Sequence, residues 1–444
     1  MSASRSTTTP AKNLRLLPGL GFVDLAASGL PERLADKVEG ELELFAYQMR
    51  YGLLSAAVSV GLEVFGELLQ AEVTEIAGPR GTHHPNRRAR RHGSESAKVP
   101  LGGRMVDVAK PRVRSVDGAH EISLETWAAV ASRDLMERHT IISMLAGVST
   151  RNYATVLEPV GPELEENSSA TSRSAVSRRF IAGTKARLEE FRSRPPSDCR
   201  SLIVFIDGFG FGDETLVGAL GVDEKGNKVP LSVVHGTTEN KTVCKKLLDD
   251  LEDRGFDPSA GVLFVIDGGK AIARAIEDKW GDTALIQRCR QHKYRNVTDL
   301  LPKSDHAWVK IQMNRAWRMP DPDEAEEALR SLAAKLERTH PDAAASLREG
   351  LEETVTINAL GVTGTLAATL ATTNPIESTI DIIKVHARNV KRWRGGDMRL
   401  RWAAAGMLAA EAQYHRVRGH RQLDKLAQAL STAIQRRREL ADAS

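Results

Sequence analysis

Residues 201–207 read SLIVFID and residues 261–267 read GVLFVID, two apolar runs rich in β-branched residues and each ended by an acid. A short continuous apolar run is the pattern of a strand buried on both faces. Between them, ETLVGALGV (214–222) and KVPLSVVHG (228–236) are two further strand-like runs, joined by the hairpin turn DEKGN (223–227). Residues 239–254 have helical periodicity, KAIARAIEDKWG (270–281) is helical, and TALIQRC (283–289) is a fifth strand. The order three strands, helix, strand, helix, strand predicts an α/β core: a mixed sheet covered by helices.

Working outward, residues 195–302 hold this first part of the core, which starts after Pro195-Pro196. Residues 303–370 turn helical and acidic, with no strand signal of comparable strength, and read as a helical insertion. Residues 371–444 return with a new helix, capped by Thr373 or Asn374 and carrying Pro375 in its first turn and Glu377 facing inward. Upstream, residues 34–78 are helical, stopped by Gly78-Pro79. Residues 79–118 form a basic arm and a small hairpin about Gly102-Gly103, and residues 119–194 are again helical. Residues 1–33 read as a loose N-terminus; the first 23, with Arg5, Lys12 and Arg15 and no acid, fit an unprocessed end better than a transit peptide.

With 444 residues, 41% of them hydrophobic and 27% charged, the chain is an ordinary globular protein with ample core for a catalytic site. Three cysteines (Cys199, Cys244, Cys289) build no disulfide framework and fit a reducing, cytoplasmic setting. The most apolar stretch, Leu53 to Leu69, is broken by Glu63 and Glu67, so no membrane span is expected.

Net charge is only +4, but it is sorted. Residues 80–114 hold ten Lys or Arg against Glu95 and Asp107, and residues 384–401 hold seven against Asp397. Residues 321–353 reverse the sign, with ten acids against four bases. Such sorting points to a polyanion met on particular faces. Candidate contacts are Arg87, Arg88, Arg90, Arg91, Arg104, Arg112 and Arg114 on the arm and hairpin, a solvated linker being the other reading. GVSTRNY (147–153) and SRSAVSRRF (172–180) each place Ser or Thr before an Arg-bearing helical segment, with Ser149 and Ser174 as caps. They suit either a helix-turn-helix presenting Arg178 and Arg179 to a major groove or an ordinary packed pair. Lys293, Arg295 and Asn296 are further phosphate candidates, as are Lys391, Arg392 and Arg394. Trp393 among them is either a base-stacking platform or a buried anchor.

Asp207 and Asp267 carry the chemistry. Each follows an isoleucine at the end of a buried strand and precedes a glycine, which leaves room for an ion or phosphate near the backbone. A single acid there is most often a cap or turn former; two matched strand ends are harder to explain that way. Side by side, two buried carboxylates need a cation. Mg²⁺ or Mn²⁺ suits them, two ions activating an attacking oxygen and stabilising a leaving one, with Glu377 as a third carboxylate. Asp213, Glu214 and Asp223 read as solvated turn acids, although a supporting part for Asp213 stays open.

VFIDG (204–208), FVIDGG (264–269), QRCRQHKYRNV (287–297) and TTNPIES (372–378) occur with 60 residues between the two aspartates and 110 between Asp267 and Glu377. In this order and spacing, with the basic arm, LGG (101–103) and RWAAAGMLAAEAQYHRVRGH (401–420), the chain resembles Mutator-type transposases of bacterial insertion sequences from about residue 40 to 420. The resemblance implies an RNase H-like core with an all-helical insertion and a catalytic triad of Asp207, Asp267 and Glu377 holding two Mg²⁺ or Mn²⁺ ions. It also implies a Cys-x-x-His element at Cys289 and His292, DNA as partner, a homodimer or higher oligomer, and work at the nucleoid. Zinc at Cys289 and His292 lacks two further ligands. GFGFGDET (208–215) departs from the family, which commonly has an aromatic and a basic residue there. Three other readings compete: an RNase H-like nuclease or resolvase without strand transfer, a DNA-binding regulator derived from a transposase, and an aspartyl phosphotransferase. The intact acids speak against the second, and the missing Gly-rich phosphate loop against the third.

Overall fold

Each of the two units into which the chain folds has its own hydrophobic packing. The computed structural model describes residues 32–82, 89–196, 200–281, 283–395 and 397–442. The units are residues 1–132 with 157–169, and residues 133–156 with 170–444.

In the first unit, α1 (Glu32–Ala77) leads to a hairpin of β1 (Ala89–Leu101) and β2 (Arg104–Ser115), followed by β3 (Glu121–Ile122) and α2 (Glu125–Val130). Leu101 pairs with Arg104 across Gly102 and Gly103, both at positive φ as a two-residue hairpin turn demands. The hairpin is longer than its sequence suggested. Residues 89–97, read as part of a flexible arm, are paired strand, with a bulge between Arg91 and Ser94 where Gly93 takes φ +73°. The Gly and Ser that looked like a loop mark that bulge. Ala89, Val99, Val106 and Val113 pack on Phe65, Leu69 and Val73 of α1. By length and composition alone, Leu44–Ala77 of α1 would suffice to cross a membrane, despite the four glutamates within it. Its C-terminal half instead supplies this core.

The stretch expected as one helical domain, 119–194, divides between the units. Helix α3 (Arg133–Leu145) and α5 (Arg173–Ser193) belong to the second, whereas α4 (Pro162–Glu166), a single turn, belongs to the first. Ser149 caps no α-helix, because only a 3₁₀ turn at Ala154–Val156 follows it. Ser172, not Ser174, caps α5, accepting from the Ala175 amide at 3.4 Å. The helix-turn-helix expectation is corrected accordingly: no helix of useful length joins α5 through a tight turn, and α5 packs on α3.

In the second unit, β4 (Ser201–Phe211), β5 (Glu214–Asp223) and β6 (Lys228–His235) form an antiparallel meander. Helix α6 (Lys241–Asp253) crosses to β7 (Val262–Ile266), which runs parallel to β4, and α7 (Lys270–Trp280) crosses to β8 (Ala284–Arg288), parallel to β7. The sheet order is β6-β5-β4-β7-β8. Both faces are covered. Val204, Ile206, Phe264 and Ile266 face α6 and α7 through Leu247, Leu251, Ile272 and Ile276. Ile203, Phe205, Leu263 and Val265 face the opposite core, as the period of two requires.

The insertion follows as α8 (Arg290–Thr298), α9 (Lys303–Trp317), α10 (Pro322–Glu337), α11 (Pro341–Arg348), α12 (Thr356–Ala359) and α13 (Gly364–Leu370). A core of its own, including Val309, Met313, Leu329, Leu332 and Leu347, sits among α8 to α11. The chain then returns through α14 (Asn374–Ala387), α15 (Met398–Glu411) and α16 (Leu423–Asp442). Helix α14 lies on β4 and β5 through Ile376, Ile380 and Ile383, on the face shared by Ile203 and Phe205. That placement brings the third acid to the sheet.

Candidate active site

Asp207 lies within β4 rather than at its end. It pairs with Gly218 of β5, and the strand continues to Phe211. On the other side the ladder to β7 stops at Ile206 and Ile266, so Asp207 and Asp267 stand next to one another where two parallel strands part. The continuation arises because GFGF, read as a loop, keeps alternating: Phe209 and Phe211 are buried while Gly210 is exposed. Both aspartates continue the odd-numbered series that faces α14, and Glu377 is in the first turn of that helix.

Asp207 is 7% exposed. Burial pushes its carboxyl up to about 7, the charges of Asp267 and Glu377 push the same way, and His292 opposes them. The three acids, 170 residues apart in the chain, thus act on one another electrostatically. Each has its own hydrogen-bond support. The Gly208 amide donates to Asp207 Oδ1 at 2.8 Å, and the Gly269 amide to Asp267 Oδ1 at 3.0 Å. Thr238 Oγ1 donates to Asp267 Oδ2 at 3.3 Å. Thr373 Oγ1 donates to Glu377 Oε1 at 2.6 Å.

Cys289 and His292 flank the acids at the start of α8. The hydrogen bond with Cys289, then the charges of Cys289, Asp207 and Asp267, push the His292 imidazole up to about 9 against the effect of burial. Burial acts to raise the Cys289 thiol, but His292 and Thr373 together hold it below its ordinary value. Thr373 Oγ1 lies 3.4 Å from His292 Nδ1 and 3.6 Å from Cys289 Sγ, so one hydroxyl ties this pair to Glu377. Sequence reading marked Thr373 only as a possible helix cap. Thr238, on the loop after β6, carried no signal at all.

The donor set is hard oxygen, which suits Mg²⁺ or Mn²⁺. Among the described residues no three His, Cys, Asp or Glu side chains are gathered tightly enough to hold one ion. That is compatible with two ions that share Asp207, since each would then need only a pair of carboxylates.

The glycines after the two acids differ. Gly268 has φ +115° and a Cβ there would press on Arg288, so the position demands glycine. At Gly208 a Cβ would make only ordinary contact with Thr238, so clearance alone does not explain it. Asp213 is at the tip of the β4–β5 hairpin, where it and Glu214 pair with Arg399. That engagement gives it a structural task away from the acids and corrects the idea of a supporting part.

The basic candidates separate by what they touch. Arg87 and Arg88 lie outside the described residues. Arg90, Arg178, Arg295, Lys391, Arg392 and Arg394 are exposed. Lys293 is 1% exposed and donates to the carbonyls of Ser346 and Glu349, so it cannot meet a phosphate. Arg104 is buried, bonded to the Glu158 carbonyl and paired with Glu165. Arg112 is engaged by Glu121 and Glu95, and Arg91 by Gly78, Gln70 and Thr74. Arg114 is half-buried. Arg179 is fixed by Thr140 and the Ala170 carbonyl. Trp393 packs at a tilt of 50° against Phe211, ring centres 4.7 Å apart, and lies over Gly212, which makes it an anchor and not an open platform.

Residues 35–403 match the family described as "Transposase, Mutator family". The chain is 26% identical over 253 residues to the transposase for insertion sequence element IS6120 of Mycolicibacterium smegmatis, covering 56% of this chain and 75% of that protein. It is 27% identical over 176 residues to the transposase for IST2 of Acidithiobacillus ferrooxidans, covering 40% and 58% respectively. Over 300 residues it is 27% identical to the transposase for ISRM5 of Rhizobium meliloti, covering 66% and 72%. A match across more than four-fifths of its length, spanning all three acids, makes this chain a member of the Mutator family of transposases.

Proposed function

We propose that this chain is a DNA transposase of an insertion sequence, with Asp207, Asp267 and Glu377 as its catalytic carboxylates on an RNase H-like core. One observation carries the reading: a buried Asp207 whose carboxyl is pushed up to about 7 by burial and by the two other acids. Buried like charges of this kind are arranged where a cation or a reacting group is to be received. In the first reaction water attacks a phosphodiester at the element's end, and a free 3′-hydroxyl leaves. In the second, that hydroxyl attacks a target phosphodiester, displacing one strand end as a new 3′-hydroxyl. Asp207 would be shared between two Mg²⁺ or Mn²⁺ ions, with Asp267 and Glu377 holding one each. When bound, such ions stabilise the charge that develops on the attacking and leaving oxygens. Thr238 and Thr373 orient the outer carboxylates, and the apolar strands beneath exclude water.

The exposed Arg178, Lys391, Arg392 and Arg394 supply a surface for DNA phosphates. Two element ends require two such sites, which favours a homodimer or larger assembly acting on DNA at the nucleoid. The test is Asp207→Asn assayed on end DNA in Mg²⁺: binding is retained and cleavage lost. Wild-type cleavage by that variant would refute the assignment. Pre-cut ends incubated with target DNA separate a transposase, which joins them, from a nuclease, which does not.

A further inference from the structure

A cavity of about 880 Å³ in the second unit lies between α8, α9 and α13. It is distinct from the acids but borders them. Arg290, Tyr294 and Arg295 of α8 line it, while His292 of the same helix faces Thr373, and Thr372 forms part of the opposite wall. Four cations face it: Arg290, Arg295, Lys310 and Arg318. No Asp or Glu is among its lining residues, and none of the four cations is in an ion pair among the described residues. Arg290 is the most telling. Its guanidinium is held by the carbonyls of Thr354 and Trp317 and by the Asn358 side chain, with no carboxylate. Burial without such a partner pushes it down to about 10.

Two aromatic rings complete the wall. Arg290 lies 5.5 Å from the Trp317 ring centre, and Lys310 lies 5.5 Å from that of Tyr294. Trp317 is only 7% exposed and has Arg290 over its ring, so half-buried Tyr294 is the ring that offers an apolar face beside positive charge, the chemistry that receives a nucleobase and its phosphate. The volume falls within the ~300–1,000 Å³ typical of sites for small organic groups, and so admits single nucleotides but no duplex.

We infer that this cavity receives unpaired nucleotides of the DNA strand that crosses the Asp207–Asp267–Glu377 cluster, so that the insertion holds a strand out of its duplex beside the reacting phosphate. The inference rests on the DNA reading above and adds to it a pocket for unpaired bases. The test uses the full chain and three fluorescent duplexes: blunt, with a three-nucleotide 3′ overhang, and with the same overhang abasic. Base stacking on aromatic side chains contributes ~1–3 kcal/mol per base, about 5- to 150-fold in affinity. The wild-type protein should therefore bind the overhang carrying bases at least fivefold more tightly than the abasic one.

Lys310→Ala combined with Arg318→Ala, both exposed positions, should remove most of that preference and leave blunt-duplex binding within about twofold. Equal affinity of the wild-type protein for all three duplexes, or a preference that survives in the double variant, overturns the inference. Failure to bind any duplex, or cleavage by Asp207→Asn, would instead overturn the DNA reading beneath it. A preference for the overhang that is matched by free mononucleotides at equal concentration also overturns it, since the strand would then contribute nothing.

Discussion

Two buried charge clusters sit a few residues apart in this molecule and are built on opposite principles. At the sheet, the three acids Asp207, Asp267 and Glu377 outnumber the cations that act on them, His292 and, at Asp267, Arg288, and the burden falls on Asp207, whose carboxyl is pushed up to about 7. At the root of the insertion, Arg288 and Lys293 meet Glu349 and Glu353, two charges of each sign. Arg288 is 3% exposed, bonds both Glu349 oxygens, lies 3.0 Å from Glu353 and donates to the Gly268 carbonyl at 2.8 Å. Burial and Arg288 push the Lys293 ammonium down to about 8. The balanced cluster fastens the insertion to the loop that carries Asp267. The unbalanced one carries an excess of negative charge, and that asymmetry separates a fastening from a site.

The largest test of this contrast replaces one charge in each cluster. Glu377→Gln should lower strand cleavage about a thousandfold or more, the loss of several kcal/mol of transition-state stabilisation, while its melting temperature holds or rises. Retained cleavage would mean that Glu377 is not part of the site. Arg288→Ala should do the reverse to the fold. It leaves Glu353 without its ion-pair partner and Glu349 with Lys293 alone, and removal of one side of a buried pair costs about 3–5 kcal/mol. Chemical denaturation measures it; a loss under about 1 kcal/mol would show the cluster to be solvated.

Proton linkage sharpens the comparison. Asp207 titrates above its ordinary value in the folded protein, so its contribution to stability is complete below pH 3.8 and lost as pH rises through about 7. Asp207→Asn buries no charge. Without divalent ions its melting temperature should equal that of the wild-type protein near pH 4 and exceed it by several degrees at pH 8, and Mg²⁺ should narrow the gap. Equal melting at pH 8 in a chelator would mean that His292 already neutralises the cluster. The smallest effect belongs to Thr373→Val, which removes the 2.6 Å bond to Glu377. One such bond contributes ~1–2 kcal/mol, so cleavage should slow about tenfold while Thr373→Ser restores it. An unchanged rate would mean that this bond does not position Glu377.

Much of the sheet was legible before any coordinates. SLIVFID and GVLFVID are buried strands because they have no polar residue to offer solvent, and the turn at residues 223–227 follows from Gly226 at φ +84°. The errors have a common origin. GFGF looked like a loop, and ARRHGSESA like a flexible arm, because glycine and serine weaken local strand signals. Cross-strand pairing with β5 and β2 overrode that weakness. Lys293 and Arg104 were read as surface groups from charge density along the chain, which does not register the direction in which a side chain points.

The sequence by itself determined which residues are acids at the edge of apolar strands and which segments alternate with a period of two. Both depend only on neighbours a few positions away. Tertiary structure alone decided that α14 lays Glu377 on the face shared by Asp207 and Asp267, that Thr238 and Thr373 hold the outer acids, and which arginines remain free for DNA. Those outcomes depend on contacts between residues tens to hundreds of positions apart. No local pattern encodes such contacts; they are fixed when the sheet and its helices bury their apolar faces together.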